Sequence, residues 1–403
     1  MDPRNIGEWN LTEEDAYLER ALGFIIRYKW LHDFKITRFY VDNIHENLPQ
    51  EWVQASSGLS TEELQTQLDV LRNSSSTEVR AGFPESLRMF LREAKDLCLK
   101  RAMLGEGKGG GALELESEHE VDIPRRLMYG MRPKKLHEVS RMAVLIHQIC
   151  QKYGLRTVLD LGAGMGYLDC VLAEVYAYQV IAVESDGCRT VNAQRRLSRH
   201  SQKDRPISNL LKYEALTIDH SPGSLRDLRE VLNKYGASLI CIIGLHCCGS
   251  FTPIILDLFA RLDEGKALVC VGCCYHLMRY SKNQSGVEHC PLSKMAKQKL
   301  EGLWTKPGPL LTTASLRLAT QETKVRWLKE LDVHVSCHHF RAVLELAACS
   351  RNYEIKKRRR HTSPEQYGSD ADKFLATVFT DYQLIGYGHA ANRTNDQSVV
   401  SLQ

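Results

Sequence analysis

Residues 157–170 read TVLDLGAGMGYLDC, and no other stretch limits the possible fold so tightly. An apolar run rich in Val and Leu carries an acid, Asp160, near its end; three glycines follow within five residues, and helical spacing begins at Tyr167. Short apolar runs bounded by glycine read as buried strands, so residues 157–161 are expected to open a parallel sheet. Gly162, Ala163, Gly164, Met165 and Gly166 let the chain reverse and approach a ligand with few Cβ atoms in the way.

The spacing of those glycines selects among ligands. A dinucleotide turn has the pattern G-x-G-x-x-G, with a pyrophosphate resting on the helix N-terminus. Gly162 and Gly164 satisfy its first two positions, but the third is Tyr167 and the glycine falls one residue early, at Gly166. An acid ahead of the glycines, with no basic residue in the turn, suits the cationic end of a ligand better than a phosphate. The second strand, residues 179–183, runs into Glu184, where a carboxylate can accept both hydroxyls of a ribose. The expected cofactor is therefore S-adenosylmethionine. Asp160 lies near its amino group, Gly162, Ala163, Gly164 and Gly166 along its methionine and sulfonium, and Glu184 with Ser185 at its ribose. The same spacing disfavours NAD.

Strands and helices continue to alternate. A third strand is expected around Leu210, Leu211, Tyr213 and Leu216, with Glu214 or Asp219 as candidate adenine neighbours. A fourth spans residues 237–244 and a fifth 267–271. Alternation of this length indicates an α/β fold, a Rossmann-like doubly wound sheet whose ligands bind at the carboxyl ends of its strands. The fourth strand ends in GLHCCGS (residues 244–250) and the fifth in GCCYH (residues 272–276). His246 is the candidate general base, with Tyr275 and His276 as further catalytic candidates. Cys270 and Cys273 form a C-x-x-C pair, but successive residues of a strand alternate faces. We therefore expect free thiols packed as small hydrophobes, and no metal.

Residues 1–103 read as a helical N-terminal domain, with a capping box from Ser60 to Glu63. Residues 104–123, rich in Gly and Glu, read as a flexible linker, residues 124–385 as the sheet-bearing domain, and residues 386–403 as a disordered tail. A helix is expected over residues 133–153, with Pro133 in its first turn and Lys134, Lys135 and His137 as candidates for gripping an anionic substrate group. Beyond residue 350 the best strand candidate is residues 374–379, FLATVF.

Composition excludes little. Over 403 residues the formal net charge is +4, which permits a nucleic-acid partner without demanding one. Arg189, Arg195, Arg196 and Arg199, with the basic run at residues 356–360, tilt the expected substrate toward RNA over a protein of the translation machinery. No apolar run approaches the roughly 18 residues that span a bilayer. Thirteen cysteines without a secretory signal suggest a reducing, cytoplasmic or nuclear setting.

With these residues in place the chain resembles the methyltransferase-like protein 25 family, including its branch called ribosomal RNA adenine dimethylase domain-containing. The resemblance covers roughly residues 10–350 and rests on LPQEW, LSTEEL, MRPKKLHEV, VLDLGAGMGYLD, VIAVESD, GLHCCGS and VGCCYHLM. The last two motifs also resemble a tRNA 2'-O-methyltransferase family. It implies a class I S-adenosylmethionine-dependent methyltransferase fold, and by position it gives Asp160, Gly162, Gly164, Gly166 and Glu184 to the cofactor. Adenine N6 enzymes carry Asn or Asp, then Pro-Pro and an aromatic, after the fourth strand. GLHCCG stands there instead, so these residues do not carry the dimethylase label. The alternative is a catalytically silent methyltransferase fold that binds RNA or a partner.

Overall fold

A computed structural model describes residues 11–60, 63, 66, 82–98, 121–200, 209–283, 286–320, 324–358 and 368–386. The expected linker therefore lies outside the described residues except for its last three, and the expected tail except for Gly386. Two compact units emerge, one of residues 1–18 with 99–309, the other of residues 19–98 with 310–403.

The first unit holds a five-stranded parallel sheet. Its strands are β1 (Thr157–Leu161), β2 (Gln179–Glu184), β3 (Leu211–Ala215), β4 (Ile240–Leu245) and β5 (Gly265–Val271), in the order β3-β2-β1-β4-β5. Every residue of β1 is buried, as expected for a strand covered on both faces. Side chains alternate between those faces. Val158, Val180, Cys241 and Ile243 pack with Val139, Ala143 and Ile146 of the helix Pro133–Tyr153 and with Val171 and Leu172 of the helix Tyr167–Val175. Leu159, Leu161, Ile181 and Ile242 pack with Leu228 and Leu232 of the helix Pro222–Lys234 and with Ile255 and Leu258 of the helix Phe251–Arg261. Burying a side chain of this size contributes about 1.5–3 kcal/mol, so the sheet between two helical layers is the stable centre of this unit.

Strand order reverses between β1 and β4, the switch point at whose carboxyl ends sheets of this kind bind their ligands. The helix Pro133–Tyr153 begins at the expected proline and stops at Gly154 (φ 65°), whose N–H caps the carbonyls of Cys150 and Gln151.

In the second unit the helix Gln50–Ser56 buries Trp52, whose indole N–H donates to Ser86 Oγ at 2.8 Å. The Ser60 capping box is present: Glu63 N–H donates to Ser60 Oγ at 3.2 Å and Ser60 N–H to Glu63 Oε2 at 2.9 Å. Two strands, β6 (Tyr353–Lys357) and β7 (Tyr382–Gly386), form an antiparallel sheet of their own.

Residues 374–379 are not a strand. They belong to the helix Ala371–Asp381, whose N-cap Asp370 accepts from the N–H groups of Asp372 and Lys373 at 3.0 and 3.1 Å. Phe374 and Val378, four apart, are buried beside Cys337, while Leu375 between them is exposed. A six-residue run with five apolar members fits either period, and the aspartate cap four residues upstream decides for the helix.

Candidate cofactor and active site

The turn after β1 is built by backbone contacts across the sheet. Gly162 (φ 84°) and Ala163 both donate N–H to the Val183 carbonyl of β2, at 2.8 and 3.1 Å. Gly164 (φ 61°) donates N–H to Glu184 Oε2 at 3.0 Å. Gly166 (φ 68°) is the N-cap of the helix Tyr167–Val175. The glycines differ in what they face. A Cβ at Gly166 would lie 2.0 Å from Tyr213 Oη on β3, and one at Gly162 would lie 3.1 Å from Phe251, whereas one at Gly164 would meet nothing within 4 Å. The early third glycine is thus explained by packing against β3, and Gly164 is the one that borders open space.

Charge around this turn is acidic. Glu184 is buried, and its Oε1 accepts from Asp186 N–H at 3.0 Å and from Ser185 Oγ at 3.3 Å. Each of its oxygens has two lone pairs, so Oε2, with one bond from Gly164, keeps room for a ligand donor. Asp160, 3% exposed on β1, lies beside Asp169, fully buried in the first turn of the following helix. Asp160 Oδ1 and both Asp169 oxygens have no well-formed hydrogen bond among the described residues. Burial chiefly pushes the Asp160 carboxyl up to about 6; the neighbouring Asp169 and Lys135 oppose this and the charge of Glu184 adds to it. Burial, and then Asp160 itself, hold Asp169 well above the usual carboxylate range. Two adjacent carboxyls out of water do not both ionise, so Asp169 is the protonated member.

His246 stands just past β4 with φ 67°, and its Nε2 lies 2.8 Å from Glu138 Oε2 on the helix Pro133–Tyr153. Lys135 lies 3.3 Å from the same oxygen and Lys134 3.8 Å from Oε1. Burial works against the Glu138 charge, but the His246 hydrogen bond, the His246 charge and Lys135 together hold its carboxyl below the ordinary range. With Nε2 donating to that carboxylate, Nδ1 is the nitrogen left to take a proton. Tyr275 and His276 lie on a single turn of 3₁₀ helix (Tyr275–Leu277) beyond β5. Gly249 N–H donates to Cys274 O at 3.2 Å, tying the two loops together.

The structure thus brings Asp160, the glycines, Glu184 and Ser185 to one end of β1 and β2, and His246, Tyr275 and His276 to the ends of β4 and β5. Lys134 and Lys135 face Glu138, and His137 is exposed on the same first turns. Glu214 is held by Lys234 at 2.6 Å and by Tyr235, and Asp219 accepts from Ser221 N–H and Ser224 Oγ at 2.8 Å. Arg196 differs from its reading as a surface cation. It is 8% exposed, its guanidinium 4.0 Å over the Tyr167 ring and donating to Leu127 O at 2.7 Å, so it braces the turn from inside. Glu138, Asp169 and Tyr213 were not singled out from sequence. The first two stand within quoted motifs, MRPKKLHEV and the end of VLDLGAGMGYLD, but only the fold pairs them with His246 and Asp160. The cysteines sort into two groups: Cys247 is buried against Cys270, while Cys248 meets Cys273 and Cys274.

Comparison with known proteins agrees with this geometry. Residues 134–281 match the family described as "Methyltransferase domain". A human protein, "Probable methyltransferase-like protein 25", is 27% identical over 206 residues, which is 46% of this chain and 34% of that protein. Its mouse counterpart of the same description is 34% identical over 92 residues, 22% of this chain and 15% of that protein. The matched part therefore spans about a third or less of those relatives' length. No solved structure matches the chain. The parallel sheet, the glycine turn on its first strand and the family match coincide over one stretch, residues 134–281, which is similar to a methyltransferase domain.

Proposed function

We propose that this chain is an S-adenosylmethionine-dependent methyltransferase whose acceptor is RNA. The observation that carries the reading is the bond from Gly164 N–H to Glu184 Oε2, which sets the second-strand acid against the one glycine of the turn that borders open space. The residues fit the cofactor. The orphaned Asp160 Oδ1 is a buried acceptor awaiting a cationic donor, and Glu184 Oε2 retains a lone pair for a ribose hydroxyl. Ser185 and the backbone of residues 162–166 would border the rest. When bound, the cofactor supplies a methyl group activated by a positively charged sulfur.

The chain's own residues do the remaining work. Asp160 binds the amino group as a carboxylate, while the neighbouring Asp169 keeps its proton. His246 takes a proton from the acceptor at Nδ1, and Glu138 fixes the ring's tautomer and steadies its positive charge. Tyr275 and His276 border the acceptor beyond β5. RNA is favoured by the exposed Arg189 and Arg195 on the helix Gly187–His200 and by the exposed Lys356, Lys357 and Arg358.

Calorimetric titration of S-adenosylmethionine, with NAD as control, into the wild type and Glu184→Ala tests the cofactor. Loss of a charge-assisted hydrogen bond is worth about 1.5–3 kcal/mol, so the variant should bind roughly 10- to 150-fold more weakly and NAD not at all. A folded wild-type sample that ignores S-adenosylmethionine would leave a catalytically silent fold acting as a binding module. Labelled methyl groups traced into RNA or into protein then decide the acceptor.

A further inference from the structure

The thirteen cysteines are all free, and five of them are buried. Cys150, Cys170, Cys241 and Cys247 are at most 2% exposed and fill the core on either side of the sheet. Three others do not. Cys248, in the loop after β4, is exposed, and Cys273 and Cys274, after β5, are only partly buried, yet the three sulfurs converge. Cys248 Sγ lies 3.0 Å from Cys273 Sγ and Cys273 Sγ 3.6 Å from Cys274 Sγ, and all three lie within 4.8 Å of one another.

We infer that Cys248, Cys273 and Cys274 form a three-thiolate site for one zinc ion. Zinc takes thiolates at about 2.3 Å, so three sulfurs around one ion stand roughly 3.8 Å apart. The observed spacing needs only a small opening between Cys248 and Cys273 to match. Thiolates are soft donors that select zinc or cuprous copper over the hard cations. Three protein ligands leave a fourth position, which the exposure of Cys248 makes available to water or to a donor atom from outside.

The backbone holds this arrangement without help from the metal. Cys247 N–H donates to Val271 O at 3.0 Å, Gly249 N–H to Cys274 O at 3.2 Å, and Arg279 N–H to Ser250 Oγ at 2.8 Å. Gly249 (φ 58°) approaches so closely that a Cβ there would lie 2.6 Å from the Leu277 carbonyl oxygen. Only glycine permits that approach, and it sets Cys248 over Cys273. The ion would tie the loop that carries His246 to the turn that carries Tyr275 and His276. The C-x-x-C pair seen in the sequence is not the site, because Cys270 faces Cys247 while Cys273 meets Cys248. The ligand that completes it comes from a different strand end.

The inference stands apart from the methyltransferase reading and is tested without activity. The full chain, reduced and stripped of metal, is titrated with cobalt(II), whose thiolate charge-transfer and tetrahedral visible bands report its ligands. One cobalt per chain, a charge-transfer intensity of three thiolates, and bleaching by one equivalent of zinc are expected. Cys248→Ser should weaken binding by more than roughly 100-fold, since even outer partners of metal ligands are worth about 10- to 100-fold. Cys188→Ser, exposed and distant in sequence, should change nothing. Thiolate counting on the wild type stands even where a variant fails to fold. Absence of the charge-transfer band would overturn the site. So would a band of full strength in the triple serine variant, or a metal-free protein as purified with Cys248 and Cys273 joined as a disulfide.

Discussion

Replacing Asp160 by Asn should make the protein more stable while destroying its cofactor site. The Asp160 carboxyl is 3% exposed and its pKa stands at about 6 against an ordinary 3.8. A group that ionises at higher pH in the folded state binds more protons there than in the unfolded chain, so stability falls as pH rises through that interval. Below about pH 4 both states hold the proton and Asp160 contributes no penalty. Between about pH 4 and 6 the penalty grows, and above pH 6 it is complete. A shift of about 2 units corresponds to roughly 3 kcal/mol. Asn cannot ionise and keeps the shape, and the protonated Asp169 can still donate to it. Asp160→Asn should therefore be more stable than the wild type at pH 7.5, by up to about 3 kcal/mol, and equal to it near pH 4. Urea unfolding followed through hydrogen-exchange protection of peptides from β1 and β4 reads this sheet separately from the second unit. The same variant should bind S-adenosylmethionine roughly 10- to 150-fold more weakly, the worth of one charge-assisted hydrogen bond. A variant less stable than the wild type by about 1 kcal/mol or more at pH 7.5, the ordinary cost of a point substitution, would refute the argument. So would undiminished cofactor affinity.

Gly166→Ala combines a φ of 68° with a Cβ placed on Tyr213 Oη and should destabilise by about 2–4 kcal/mol in thermal unfolding; Tyr213→Phe, which removes that oxygen, should recover part of the loss. Glu138→Gln takes the carboxylate from His246 Nε2 and should slow methyl transfer by about 10- to 100-fold while cofactor affinity is unchanged. Glu138 itself, held below the usual range, stabilises the fold above that range and loses this as pH falls through its lowered pKa. Asp370→Ala removes the cap of the helix Ala371–Asp381 and should cost about 0.5–2 kcal/mol, and Phe374→Ala about 3–5 kcal/mol, both read as faster hydrogen exchange across β6 and β7.

Legibility of this chain followed the range of the interactions. The five parallel strands and the helix Pro133–Tyr153 were readable because each is encoded by a local period, a proline or a glycine. Local signals failed where two periods fit equally: FLATVF became a helix because Asp370 captures two N–H groups, a contact that lies outside the apolar run itself. The glycines were readable as a turn, but the reason for the third lies on β3, in Tyr213. The arginines of the helix Gly187–His200 read as one basic surface, yet Arg196 turns inward to Leu127 and Tyr167. In each case the missing information was a partner distant in the chain or a cap just outside the window.

Those same distant partners bear on the proposed preference of the turn for a cation. An α-helix N-terminus carries about half a positive charge and by itself attracts phosphate. Here Asp169 occupies the first turn of the helix Tyr167–Val175, Asp160 touches it from β1, and Glu184 covers the N–H of Gly164 that a phosphate oxygen would need. The dipole is opposed by the buried acids Asp160 and Glu184, and one of its flanking donors is already taken. A pyrophosphate would have to displace Glu184 from Gly164 and approach an ionising Asp160. An ammonium group would instead pair with the Asp160 carboxylate and leave the Gly164 bond in place. The early Gly166, forced by Tyr213, brings β3 against the turn and fixes the acids in that geometry, so packing and ligand charge point the same way.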